Sequence, residues 1–142
     1  MASRVLVTGM GIISAIGEDV SSNHISLRSG KTGIGKASIL QSKYTDSFSF
    51  GEVPHTTESL KKQAGIPEEK GITRTDILSF VATKEAINMA NLDDEEVRSF
   101  ETAFISASSV GGMSMTDNLY RDGNDIGEPT EYLPSYMCSA HT

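Results

Sequence analysis

The sequence has one cysteine in 142 residues. A single thiol, Cys138, excludes an intramolecular disulfide and a cysteine zinc cluster, and it fits a reducing compartment. No apolar run approaches the ~20 residues of a membrane-spanning helix. The opening MASRVLVTGMGIISAIG is interrupted by Thr8, Gly9 and Gly11 and has no small-residue cleavage site, so it does not read as a signal peptide. The expectation is a soluble, cytoplasmic protein with no membrane partner. Basic charge is also scarce, with twelve Lys and Arg against nineteen Asp and Glu for a net charge of −7. The basic patch that duplex nucleic acid requires is missing. The imbalance lies at one end: residues 1–92 hold ten bases and nine acids, residues 93–142 two and ten. That acidic end opposes phosphates and anionic membranes and reads as solvated surface.

What is present is lean but globular. Apolar residues make up 37%, aromatics 6% and charged residues 22%, outside the disordered range. The length is that of one domain and allows roughly two-thirds of the unfolded surface to be buried.

Along the chain, Arg4–Thr8 (RVLVT) reads as a buried strand that stops at glycine. Glu18–Ser29 reads as a helix, with Asp19 in its first turn, Arg28 in its last and Gly30 after it. Its apolar stripe is Val20, His24 and Leu27. Residues 30–57 are irregular, with a possible strand in Ser47–Val53. Glu58–Ala64 is a short helix ended by Gly65. Thr73, Arg74, Thr75 and Asp76 form a capping-box-like start to a helix running to about Asn91, with Leu78, Ala82, Ala86 and Met89 on one face. Its alanines permit close approach of a neighbour. Asp93–Glu96 is an exposed charged turn. Thr102–Ala107 (TAFISA) is a second strand, and Ser108–Gly112 turns from it into a helix over Met113–Tyr120. A polar loop covers residues 121–131, and Tyr132–Ser135 opens a last helix. The order predicts an α/β fold in which Arg4–Thr8 and Thr102–Ala107 are neighbouring parallel strands, connected right-handedly. Two strands are too few to close an α/β layer. The expectation is therefore the opening piece of a larger protein.

Taken singly, each motif is weak. Gly9 and Gly11 after a strand invite a dinucleotide site, but the third glycine of G-x-G-x-x-G is Ser14. A sharp strand exit, with glycine supplying a positive φ, is the preferred reading. Ser108–Gly112 lacks the lysine that completes a phosphate loop and reads as tight helix-on-sheet packing. Cys138 and His141, three apart, could share a helical face as nucleophile and base; an inert buried thiol is the preferred alternative. His24 reads as a core histidine, and His55 sits in a loop with no metal-ligand spacing around it.

Taken in order, the segments resemble the N-terminal part of the β-ketoacyl-acyl-carrier-protein synthases, in the condensing-enzyme branch of the thiolase superfamily. RVLVTGMGIISAIGEDV resembles that family's R-V-V-V-T-G-x-G-x-x-S-P-x-G, with Ala15 in place of proline. SLRSGKTGIG resembles L-x-x-G-x-S-G-I, and TRTDILSFVATKEAI resembles R-x-D-x-x-x-x-x-A-x-x-x-A. SSVGGMSM resembles S-G-x-G-G, and YLPSYM resembles the F-x-P-S turn. The resemblance implies a thiolase-like α/β fold, incomplete here, with a parallel-rich sheet and covering helices. Residues 1–142 then form part of the synthase N-terminal domain, with an excursion over 30–73 and an end at 142 before the nucleophile elbow.

The implied reaction is a decarboxylative Claisen condensation of an enzyme-bound acyl thioester with malonyl-carrier protein, in fatty-acid or polyketide synthesis. It uses acyl-carrier protein as partner and needs no metal or cofactor. In the family the nucleophilic cysteine lies beyond the F-x-P-S helix in a T-A-C-[AS]-S-like elbow, and the two histidines lie further on. Cys138 falls in the helix before that elbow, so no residue here carries a catalytic role and the chain by itself should be inactive. The positions of Val110 and Tyr132 line the acyl pocket, Tyr132 from the partner subunit of a homodimer. A chain-length-factor-like subunit of the same fold, lacking the cysteine, is the alternative. A nucleotide-binding oxidoreductase fragment is a further one, against which absence of thermal stabilisation by NAD(P) would count. Unburied apolar surface and unpaired sheet edges would favour a dimer or higher oligomer.

Overall fold

Three of the helices begin at a short polar cap, and the three longest end where the backbone turns left-handed. In the computed structural model, which describes residues 4–66 and 71–108 together with 115, 116, 120, 121, 123 and 125, four helices have defined bounds. The first, α1 (Val20–Arg28), starts at Asp19, whose carboxylate accepts from the Ser22 amide at 2.6 Å while the Ser22 hydroxyl accepts from the Asp19 amide. That reciprocal box satisfies two donors that a helix start leaves open. Asp19 is thus the cap itself, not a first-turn residue. Ser22 holds its carboxyl below the usual range, chiefly through its side chain and then its amide. After α2 (Thr57–Ala64) comes α3 (Arg74–Ala90), where Thr73 and Asp76 form the expected box at 2.9 and 3.2 Å. The acidic run Asp93–Glu96 is not only a turn: Asp93 and Glu96 cap each other and open the one-turn helix α4 (Asp94–Val97).

α1, α2 and α3 end alike. The amide of Lys31 donates to the carbonyl of Ser26, Ile66 to Lys61 and Leu92 to Ile87, and the residue before each donor is left-handed. Gly30 and Gly65 take that conformation freely, whereas in α3 it falls to Asn91, at φ 57°.

The sheet among the described residues is small. β1 (Ile34–Gly35) pairs antiparallel with β2 (Phe50–Gly51), Ile34 opposite Gly51 and Gly35 opposite Phe50. β2 lies inside the expected Ser47–Val53 strand. Arg4–Thr8 and Thr102–Ala107, expected as parallel strands, are irregular and unpaired. Their apolar residues face outward, with Val5 at 94% and Ile105 at 91% exposure. A strand exists only through hydrogen bonds from a partner, and among the described residues none pairs with either segment. Arg121, Gly123 and Asp125 are helical, where a loop was expected.

The chain divides into two compact units. One comprises Met1–Thr56 with Phe80–Thr102, the other Thr57–Ser79 with Ala103–Thr142. In the second, Leu60, Thr73 and Ile77 are essentially sealed from solvent and Ala64 is buried beside Lys61 in α2. In the first, α1 turns its polar side inward. Asn23 and Ser26 are buried, while His24, Ile25 and Leu27 are exposed. His24 is therefore not a core histidine. The inversion arises from the turn at Ser14–Gly17, which needs partners. The Ser26 hydroxyl donates to the Ile16 carbonyl at 2.6 Å, the Ser14 hydroxyl donates to Asn23 Oδ1, and Asn23 Nδ2 donates to the Asp19 carbonyl at 2.8 Å. Among the described residues, no helix is long and apolar enough to cross a membrane.

Candidate functional site

The first unit is organised around the glycine segment Gly9–Met10–Gly11. Neither glycine has a positive φ, so the strand-exit explanation does not hold. Contact explains them: a Cβ on Gly9 would lie 2.2 Å from the Ala86 carbonyl oxygen, and one on Gly11 1.8 Å from that of Ala82. The segment lies directly on the backbone of α3, and Ala82, Ala86 and Ala90 are small enough to allow it. The α3 face marked by Ala82 and Ala86 is thus a packing face, met by irregular backbone instead of a strand.

Glu85, on the same stretch of α3, fixes the backbone on the C-terminal side of the glycines. One carboxylate oxygen accepts from the Ile12 amide at 3.0 Å and the other from the Val20 amide at 2.8 Å. Val20 is the first residue of α1, so the charge sits where a helix N-terminus favours an anion. One side chain therefore ties the glycine segment, α1 and α3 together. The sequence reading missed Glu85. Its signal was an acidic residue beside Ala82 and Ala86 on an otherwise small or apolar helix face.

Glu52 was missed as well. Its carboxylate accepts from the amides of Ser38 at 2.6 Å, Ile39 at 3.0 Å and Leu40 at 2.7 Å, and from the Ser38 hydroxyl at 3.0 Å. The Ser38 amide leads in lowering its pKa to about 2, as expected when donors converge on a carboxylate. Glu52 borders an open cleft of about 260 Å³ with Ala15, Thr32, Ile34, Lys36 and Phe50. A carboxylate so fully engaged anchors a loop; it does not accept or deliver protons near neutral pH. Lys36 pairs with Asp46 at 3.1 Å on the open surface, which contributes little. His55 Nε2 lies 3.3 Å from Glu18.

The predicted pocket residues Val110 and Tyr132, like Cys138 and His141, lie outside the described residues. His24 and His55 are not brought together with a nucleophile or with each other in any hydrogen bond or ion pair on the described residues. Among those residues no cluster of three or more His, Cys, Asp or Glu could hold a metal. The described part is thus scaffold: a tight glycine seat, a carboxylate tie and an anchored loop.

Comparison with known proteins identifies whose scaffold it is. Residues 2–141 match the family described as beta-ketoacyl synthase, N-terminal domain. The chain is similar to the 3-oxoacyl-(acyl-carrier-protein) synthase 2 of Staphylococcus aureus strains COL and MSSA476, at 27% identity over 134 residues. The protein of the same name in strain N315 is 26% identical over 134 residues. In each case the match covers 94% of this chain and 32% of the relative, so the chain spans about a third of the length of these curated relatives. The fold class this family implies is a thiolase-like α/β fold. The chain belongs to the β-ketoacyl synthase family, through that family's N-terminal domain.

Proposed function

We infer that these residues are the N-terminal portion of a 3-oxoacyl-carrier-protein synthase acting in fatty-acid synthesis, a cytoplasmic homodimer that takes its substrates from acyl-carrier protein. The observation that carries this is a family match running from residue 2 to 141, through the Gly9/Gly11 segment and the helix on which it is seated. In the reaction, an acyl group passes from its carrier thioester to a cysteine thiolate. The malonyl C–C bond then breaks, releasing CO₂. The resulting enolate carbon attacks the acyl-enzyme carbonyl, and the thiolate leaves. The chemistry needs a thiolate at a helix start and imidazole or N–H donors for the developing oxyanions. The carboxylates of Glu52 and Glu85 are engaged in holding the chain's own backbone. The contribution assigned to this chain is to shape the acyl pocket, with Val110 and Tyr132 as its apolar and aromatic wall, and Tyr132 acting across the dimer interface.

The chain by itself is then inactive toward acyl-carrier protein. Fragment complementation tests this. The chain is co-expressed with the remaining two-thirds of a relative's synthase and the mixture is given acyl- and malonyl-carrier protein. A 3-oxoacyl product should form in the mixture and not with the chain alone. A stable complex that yields no product would overturn the reading. So would stoichiometric acylation of the lone chain at Cys138, seen by mass spectrometry and lost in Cys138→Ser, which would restore the Cys138/His141 pair.

A further inference from the structure

Met10 and Met89 meet where the glycine segment rests on α3. The main-chain amide of Met10 donates to the Met89 thioether sulfur at 3.3 Å. Sulfur is a weak acceptor, so this bond is the softest polar link in a junction otherwise made by backbone contact and by Glu85. It is also reachable, since Met10 and Met89 are each 52% exposed. The surroundings are not soft. Gly9 and Gly11 flank Met10, and both lie so close to the α3 backbone that not even a Cβ fits between them. The Met10 amide is held by its neighbours at a fixed height above the helix.

We propose that the Met89 thioether is a site of oxidative modification, and that its oxidation by a peroxide loosens the seat of residues 9–11 on α3. A sulfur lone pair attacks one peroxide oxygen, and an S–O bond forms as the O–O bond breaks. The sulfur gives up two electrons, which leave on the departing oxygen. With hydrogen peroxide that oxygen takes the proton from the transferred one and departs as water. The product is a sulfoxide, polar and reversible by methionine sulfoxide reductases. Its oxygen is a stronger acceptor than the thioether, and it stands one S–O bond further out. Because both flanking glycines already touch backbone, the amide cannot adjust by settling closer. Either the segment lifts from α3 or the oxidised side chain swings out and gives up the bond.

The test treats the full chain with hydrogen peroxide, maps oxidised methionines by mass spectrometry, and tracks urea unfolding and exchange of the Met10 amide. Oxidised wild type should show a folding constant about two- to threefold lower, the low end of what one hydrogen bond contributes, and faster exchange at Met10. Met89→Leu, close in volume, should not respond at Met10. Met10→Leu should still respond, because Met10 contributes only its main chain. Reductase treatment should restore the wild type. Three results would overturn the proposal: Met89 left unoxidised while the Met10 thioether reacts, full oxidation of Met89 with no change in stability or exchange, or a Met89→Leu chain that responds like wild type.

Discussion

Gly11→Ala isolates the seating of the glycine segment on α3. The new Cβ would stand 1.8 Å from the Ala82 carbonyl oxygen, 2.8 Å from the Ala82 carbonyl carbon and 2.9 Å from the Ala86 nitrogen. Non-bonded heavy atoms rest at about 3.5 Å or more, so segment and helix must part by well over an ångström. Every atom in the way is backbone, so no rotamer change relieves the clash. Overpacking costs about 1–3 kcal/mol, and parting also strains the Ile12–Glu85 hydrogen bond, worth about 1 kcal/mol more. The expected loss is about 3 kcal/mol, a large share of an ordinary domain's stability. At a urea dependence of roughly 1–3 kcal/mol per molar, the midpoint falls by about 1 M or more. Gly35→Ala is the control, because nothing lies within 4 Å of its Cβ and its φ is not left-handed. It should leave the midpoint near wild type. If Gly11→Ala also stays within about 0.5 kcal/mol of wild type, the reasoning from close approach is wrong.

Other perturbations probe other parts of the frame. Glu85→Gln keeps the shape but offers one acceptor where Ile12 and Val20 need two; it should cost about 1–2 kcal/mol by urea unfolding. Asn91→Gly should stabilise the chain by about 0.5–1 kcal/mol, since glycine takes the φ of 57° without a Cβ penalty; a lower thermal midpoint would contradict it. Glu52 has a folded pKa of about 2 against an ordinary 4.5, so its stabilising contribution is complete above about pH 5 and is lost as pH falls toward 2. The stability gap between wild type and Glu52→Gln should therefore shrink over that window, and a gap that widens on acidification would refute the assignment.

The helices were legible in the sequence because their determinants are local. Thr73 and Asp76, or Gly30 and Gly65, act within a few residues, and the helices they bound lie within two residues of their expected limits. The strands were not, because RVLVT and TAFISA specify a β surface and nothing about a partner. The same non-locality hid the acids. Glu52 reaches Ser38–Leu40 across 12 to 14 positions, and Glu85 reaches Ile12 and Val20 across 73 and 65. Periodicity reports neither. It also misjudged α1, where Val20, His24 and Leu27 suggest a buried stripe. The partner of α1 is the polar turn at Ser14–Gly17, and a polar partner draws Asn23 and Ser26 inward.

The resemblance to the synthase family held where the strand assignment did not, and the geometry suggests why. Of the matched motif positions that the structure describes, Gly9, Gly11, Asp76, Ala82 and Ala86 each meet a strict steric or capping demand. Two glycines and two alanines set a backbone-to-backbone distance, and Asp76 closes a cap. Those demands bind whether or not the neighbouring β segments are paired. A strand's own residues are less constrained, because any β-branched or aromatic side chain fits a pleated surface. The family is therefore read from the small residues and the caps. Val5–Val7 and Phe104–Ile105 are exposed and unpaired among the described residues, and carry no such demand. Exchanging Val5 for Ile should therefore leave recognition and folding of the unit intact, whereas exchanging Gly9 or Gly11 for any other residue should not.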